Sequence, residues 1–166
     1  MKVAKFGGTS LASAEQIKKV CQIVRADQER RIVIVSAPGK RHPADTKVTD
    51  LLIAYAQRRL NEGEAESEKQ AVIDRFVEIM EGLAFPAQLS REIVAALEES
   101  LAAAPVDQPE RFVDAVKASG EDTCAKLVAA YLRQLGEQAE YVNPREAGLY
   151  VTDEAGNAQV LPEAYD

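Results

Sequence analysis

The chain has 166 residues, with 20 Lys and Arg against 27 Asp and Glu, a net charge of −7. That length fits one domain with a real core, and the acidic balance argues against a general nucleic-acid or anionic-membrane binder while leaving room for a local basic pocket. Its apolar stretches are too short to span a bilayer and its N-terminus lacks the layout of a secretory signal, so the expectation is a soluble, cytoplasmic protein.

Met1 to Phe6 reads as a strand that runs through Lys5 into Gly7-Gly8-Thr9-Ser10 and then into a helix opened by Ser13 and Gln16, a capping box, with Ile17, Val20, Cys21 and Val24 at helical spacing. A strand emptying into two glycines before a helix brings backbone amides against an anionic group, with Lys5 as a mobile cation and Thr9 and Ser10 as hydroxyl donors. On pattern alone the same string also serves as a structural turn. There is no GxxxxGK[ST] string, since Gly39-Lys40 continues into Arg41, and no GxGxxG, so neither a P-loop nor a nicotinamide dinucleotide fingerprint is supported.

Arg31 to Ser36 carries Ile32-Val33-Ile34-Val35, a β-branched run suited to a strand covered on both faces, and ends in the turn Ser36-Ala37-Pro38-Gly39. In open parallel sheets ligands gather outside the carboxyl ends of strands, so the two loops should meet at one crevice. After a polar loop, Lys40 to Lys47, a helix is expected from about Val48 to Glu62, with Thr49 and Asp50 in its first turn.

The middle reads as helical packing. Val72, Ile73, Phe76, Val77 and Met80 mark a helix ending near Gly82, Ser90 opens another through Leu101, and Pro109 precedes a short one with Phe112, Val113 and Val116. Glu62 to Lys69 is a solvated face. Ser119 then caps a further helix, whose apolar stripe runs from Cys124 to Leu135 and ends at Gly136, and this places Glu121 and Asp122 as favourable carboxylates in its first turn. Three short strands follow, Tyr141-Val142, Leu149 to Thr152 and Ala158 to Leu161, the last two joined by a hairpin at Gly156-Asn157. Cys21 and Cys124 lack metal-ligand spacing and read as buried free thiols, His42 receives no role, and no metal site is expected. About five strands with Asp166 following Pro162 and no closing helix make the chain look cut from a longer one.

Together these stations resemble the aspartate kinases of the amino-acid kinase family. Lys5-Phe6-Gly7-Gly8-Thr9-Ser10 is similar to that family's KFGGTS opening, Val35-Ser36-Ala37 to its VSA, Thr46 to Leu52 to its T(N/D)LL helix start, Ala118 to Glu121 to its SxGE segment and Gly156-Asn157-Ala158 to its GNA hairpin. The strings Val35 to Arg41 and Asp114 to Asp122 resemble the Bacillus-type branch. The resemblance implies a three-layer α/β amino-acid-kinase-like fold with a mainly parallel sheet. It implies that residues 1–166 are the N-terminal part of the catalytic domain, incomplete, with 63–118 as an inserted helical segment and with the C-terminal nucleotide half and the ACT domains absent.

The activity implied is phosphoryl transfer from ATP, carrying Mg2+, to the side-chain carboxylate of L-aspartate, opening lysine, threonine and methionine biosynthesis. In that reading Lys5 is the catalytic cation over the phosphates, Gly7, Gly8, Thr9 and Ser10 donate hydrogen bonds to them, and Ser36 lies near the transferred group. Thr49 hydrogen-bonds the aspartate and Glu121 pairs with its α-ammonium, a role that the helix-start pattern alone does not give it. A carboxylate nucleophile needs no general base, so catalysis reduces to positioning and charge neutralisation. The segment is expected to be inactive alone, with an apolar face or strand edge exposed that favours self-association or marginal stability, whereas the parent would be a homodimer through its ACT domains. A kinase for another amino-acid substrate and a non-catalytic binding or regulatory fragment remain the competing readings.

Overall fold

The computed structural model describes residues 1–165; Asp166, on which part of the expectation of an unclosed end rests, lies outside them. Strand β1 (Lys2–Phe6) leads through a 3-10 turn, Gly8–Leu11, into helix α1 (Ala14–Arg25) and back to strand β2 (Arg30–Val35). The strands pair in parallel, with Val3 opposite Ile32, Ala4 opposite Val33, Lys5 opposite Ile34 and Phe6 opposite Val35. The Ser13 half of the expected capping box is present at the N-terminus of α1: Ser13 is extended, and its Oγ accepts the Gln16 backbone N–H at 3.4 Å.

Because side chains alternate along a strand, this register divides the sheet into two faces. Ala4, Phe6, Val33 and Val35 are half-buried, and Phe6 and Val35 pack against the core. Val3, Ile32 and Ile34 share the other face with Lys5 and stay 63%, 40% and 48% exposed. The expectation that β2 is covered on both faces therefore fails among the described residues, while the expected exposed apolar face is present.

Helices α2 (Val48–Glu62), α3 (Glu66–Gly82), α4 (Ala87–Ala103) and α5 (Pro109–Gln134) make the body. Helix α2 has the bounds its pattern predicts and ends at Gly63, whose left-handed φ of 79° lets its N–H reach the Arg59 carbonyl at 3.1 Å. The core runs from Leu11, Ile17 and Cys21 through Leu52 and Tyr55 to Phe76, Leu97, Phe112 and Leu127. Tyr55 and Phe112 meet with ring centroids 6.4 Å apart. Each fully buried side chain of this size stabilises the fold by about 1.5–3 kcal/mol through lost apolar exposure. Burial pushes the Cys21 thiol up to about 11 and that of Cys124 upward too, as expected of inert core thiols.

Three expectations for the second half change. Helix α4 starts at Ala87, directly after Pro86, and Ser90 lies within it. The two helices expected around Ser119 are one 26-residue helix, α5, so Ser119 is no cap. It is buried and its Oγ donates to the Val116 carbonyl at 2.6 Å, while Gly120 continues the helix because its bare Cα admits a neighbour. Of the three strands expected after Gly136, none forms; an antiparallel bridge joins Val151 to Val160, flanked by Thr152 N–H to Gln159 and Leu161 N–H to Tyr150, around a turn with Gly156 at φ 74°. The hairpin exists in outline, held on α5 by Arg111 to Asp153 and by the Gly156 N–H to Asp114. Among the described residues no helix is long and apolar enough to cross a membrane.

Candidate active site

The loops after β1 and β2 are locked backbone to backbone. The Gly39 N–H donates to the Gly8 carbonyl at 2.8 Å, and the Ser36 N–H to the Phe6 carbonyl at 3.2 Å. A Cβ on Gly8 would lie 2.9 Å from the Ala37 oxygen, and one on Gly39 would lie 2.6 Å from the Gly8 carbonyl carbon. Both glycines are therefore required by the protein's own packing. Gly7 differs: it is exposed, its φ of −82° suits any residue, and a Cβ there would meet nothing within 4 Å.

Ala37 is the hub of the arrangement. Beside it, the Pro38 carbonyl accepts the Val48 N–H at 3.0 Å and so fixes the start of α2, putting Thr49 in the first helical turn, where backbone N–H groups lack intrahelical acceptors. On the other side Gly120 of α5 brings its backbone so close that a Cβ would lie 3.1 Å from the Ala37 Cβ and 2.8 Å from Leu52 Cδ1. Glu121 follows Gly120 and is exposed. Four segments far apart in sequence, 5–10, 36–39, 48–49 and 120–121, thus meet around one alanine.

Lys5 is the penultimate residue of β1, exposed, and on the uncovered face of the sheet beside Ile34. Thr9 is exposed, and Ser10, in the 3-10 turn, is half-buried with its N–H on the Gly7 carbonyl at 3.0 Å. Ser36 and Thr49 are half-buried. Glu121 stands mid-helix, so its carboxylate is not spent on a helix terminus, the role that the residue pattern suggested. Neither Lys5 nor Glu121 forms an ion pair among the described residues, in contrast to neighbouring Asp122, which is held by Lys126 at 2.6 Å and by the Tyr141 hydroxyl. Lys126 also lies over the Tyr141 ring, 5.2 Å from its centroid, and burial followed by the Asp122 contact pushes the Tyr141 phenol up to about 12.

A residue that the sequence reading passed over joins the two loops from below. Arg75 of α3 is buried, and its Nη2 donates to the Ala12 carbonyl at 2.6 Å and to the Gly39 carbonyl at 3.1 Å. Asp45 approaches the same nitrogen at 3.5 Å and is itself gripped by Arg41, with Nε to Oδ2 at 2.8 Å and Nη2 to Oδ1 at 2.7 Å. The Arg41 hydrogen bond, opposed by burial, holds the Asp45 carboxyl well below the usual range. A signal was present: Arg75 interrupts the apolar stripe Val72, Phe76, Ile79, Met80 on its inward face.

The model of the amino acid kinase family matches residues 1–164. Aspartokinase 3 of Bacillus subtilis is 52% identical over 168 residues, covering 99% of this chain and 36% of that protein, and the lysine-sensitive aspartokinase 3 of Escherichia coli is 30% identical, covering 95% and 34%. The chain spans about a third of the length of these relatives. The structure of E. coli aspartokinase III in complex with aspartate and ADP superposes with a TM-score of 0.71 at 28% identity, over 98% of this chain and 35% of that one. The aspartate kinase of Clostridium acetobutylicum gives 0.67 at 30% identity, over 79% and 29%. With nearly every residue matched by the family's model and a parallel α/β arrangement shared with its solved members, the chain belongs to the amino acid kinase family.

Proposed function

We propose that this chain provides the glycine-loop and aspartate-binding part of an aspartate kinase, which transfers the terminal phosphoryl group of ATP to the side-chain carboxylate of L-aspartate to give 4-phospho-L-aspartate. The observation that carries the reading is the convergence around Ala37 of four segments distant in sequence, with Lys5 near the end of β1 and Glu121 on α5 in no ion pair among the described residues, in a chain half-identical to an aspartokinase. Gly7 supports it as well, because a glycine with no internal need for its missing side chain is accounted for by something outside the chain that approaches its backbone.

In this reading the carboxylate of aspartate is already the nucleophile, and the residues supply position and charge. Gly7, Gly8, Thr9 and Ser10 donate to phosphate oxygens, Lys5 neutralises charge on the transferred group, and Ser36 lies beside it. Thr49 orients the substrate and Glu121 holds its ammonium. Among the described residues no group of three His, Cys, Asp or Glu could hold a metal. Mg2+ would be carried by the triphosphate. By itself the chain binds without turning over, since groups that act as a unit lose nearly all activity when part of the unit is missing. The protein works in solution in the cytoplasm, and its whole form is a homodimer.

The test is a chimera in which residues 1–164 replace the matched segment of B. subtilis Aspartokinase 3, assayed by trapping the acyl phosphate with hydroxylamine. Turnover that disappears with Lys5→Ala supports the assignment. A folded chimera without turnover, or one indifferent to Lys5→Ala, contradicts it.

A further inference from the structure

We propose that Arg75 is a positioning residue whose buried guanidinium sets the spacing of the two glycine loops. The consequence for phosphoryl transfer rests on the function proposed above; the clamp itself does not.

Burying the Arg75 guanidinium is costly. A guanidinium with a side chain only 3% exposed has lost its water, and its Nε and Nη1 find no hydrogen-bond acceptor among the described residues. Isolated buried charges are expensive, and an apolar residue of similar volume often serves as well or better where packing alone is needed. On the stripe Val72, Phe76, Ile79, Met80 a leucine or methionine would suffice for packing. An apolar residue could not donate from one atom to two carbonyls in separate loops, and Nη2 does this, to Ala12 behind the first loop and to Gly39 at the end of the second. Gly39 is also the residue whose N–H bonds the Gly8 carbonyl, so Arg75 holds by its carbonyl the same residue that makes the cross-loop bond through its N–H. The 40–47 loop completes the clamp: Arg41 holds Asp45 by side chain and by its backbone N–H at 2.8 Å, and Asp45 faces Arg75. The sequence between β2 and α2 thus closes over the cation that ties β2's loop to β1's.

Amide hydrogen exchange read by NMR on the full chain, with Arg75→Lys and Asp45→Asn, decides the matter. Lysine keeps the charge but is shorter and lacks the planar fork. Arg75→Lys is expected to accelerate exchange at Gly39 and Val48 by about tenfold or more while Leu97 and Leu127 change less than about threefold, the size of one lost hydrogen bond confined to the loops. Asp45→Asn, which leaves the guanidinium in place, is expected to give the same pattern more weakly, and it carries the test if Arg75→Lys does not fold. Unchanged exchange at Gly39, or acceleration spread evenly into α4 and α5, would overturn the clamp and leave Arg75 a packing residue. Titrating the wild-type chain with Mg2+ and tripolyphosphate separates the two proposals: silence at Gly7 to Ser10 counts against the phosphate reading, while the exchange pattern judges the clamp regardless.

Discussion

In the α2–α5 body, Phe76, Phe112, Leu52 and Leu97 are shut away from solvent, whereas on the two-strand sheet Val3, Ile32 and Ile34 lie open on one face. Both regions are rich in apolar residues, so composition does not separate them. The difference is in partners: every helix of the body has another helix against it, but among the described residues the sheet is covered on one side alone. Lys5, the cation of the proposed chemistry, stands on the open side. The part of the molecule that is energetically complete is a scaffold, and the part that would do chemistry is open.

The largest test of this contrast is Phe76→Ala, expected to cost about 3–5 kcal/mol because a large buried ring leaves a cavity that neighbours fill only in part. Urea denaturation measures it, and a loss under about 1 kcal/mol would mean the body is looser than its burial indicates. Next come the paired glycines. Gly8→Ala should cost about 1–3 kcal/mol, since its methyl meets the Ala37 carbonyl, a backbone atom that cannot swing aside. Gly7→Ala, one residue away in open space, should change stability by less than about 0.5 kcal/mol yet weaken binding of Mg·ATP. Equal costs at the two positions would erase the distinction between a glycine kept for packing and one kept for a ligand.

Asp45→Asn should cost about 1–3 kcal/mol at pH 7, the usual range for leaving a buried charged partner unmatched. The sign with pH follows from its lowered folded-state titration. Asp45 stabilises the fold fully above the unfolded carboxylate value, near 4, and loses that contribution as the pH falls toward its lower folded value. The wild type should therefore lose more stability than Asp45→Asn on going from pH 5 to pH 2, and parallel acid profiles would contradict the clamp's electrostatics. The smallest expected effect is Ile34→Ser, under about 0.5 kcal/mol on an exposed face, with reduced self-association in sedimentation velocity as its main signature.

Much of the backbone around the candidate site was legible because it is local. The strand, glycine loop and Ser13 cap of the N-terminus, and the whole span of α2, follow from periodicity and turn chemistry over neighbouring residues. Errors arise where a tertiary demand overrides local preference. Ser119-Gly120 reads as a helix break, since serine favours caps and glycine disfavours helix interiors, yet the glycine is there because Leu52 and Ala37 press against α5. The strands expected after Gly136 have the right residue types but no neighbour to pair with beyond one bridge. Arg75 was passed over because its role lies in contacts with residues 63 and 36 positions away, which helical periodicity does not encode.

The most direct test of the central claim is an NMR titration of this chain with Mg·ATP and, separately, with L-aspartate, which detects millimolar binding even without turnover. Shifts are expected at Gly7, Gly8, Thr9 and Ser10 with the nucleotide, lost in Lys5→Ala, and at Thr49 and Glu121 with aspartate. Shifts confined to other surfaces, or none at saturating concentrations of either ligand, would contradict that claim.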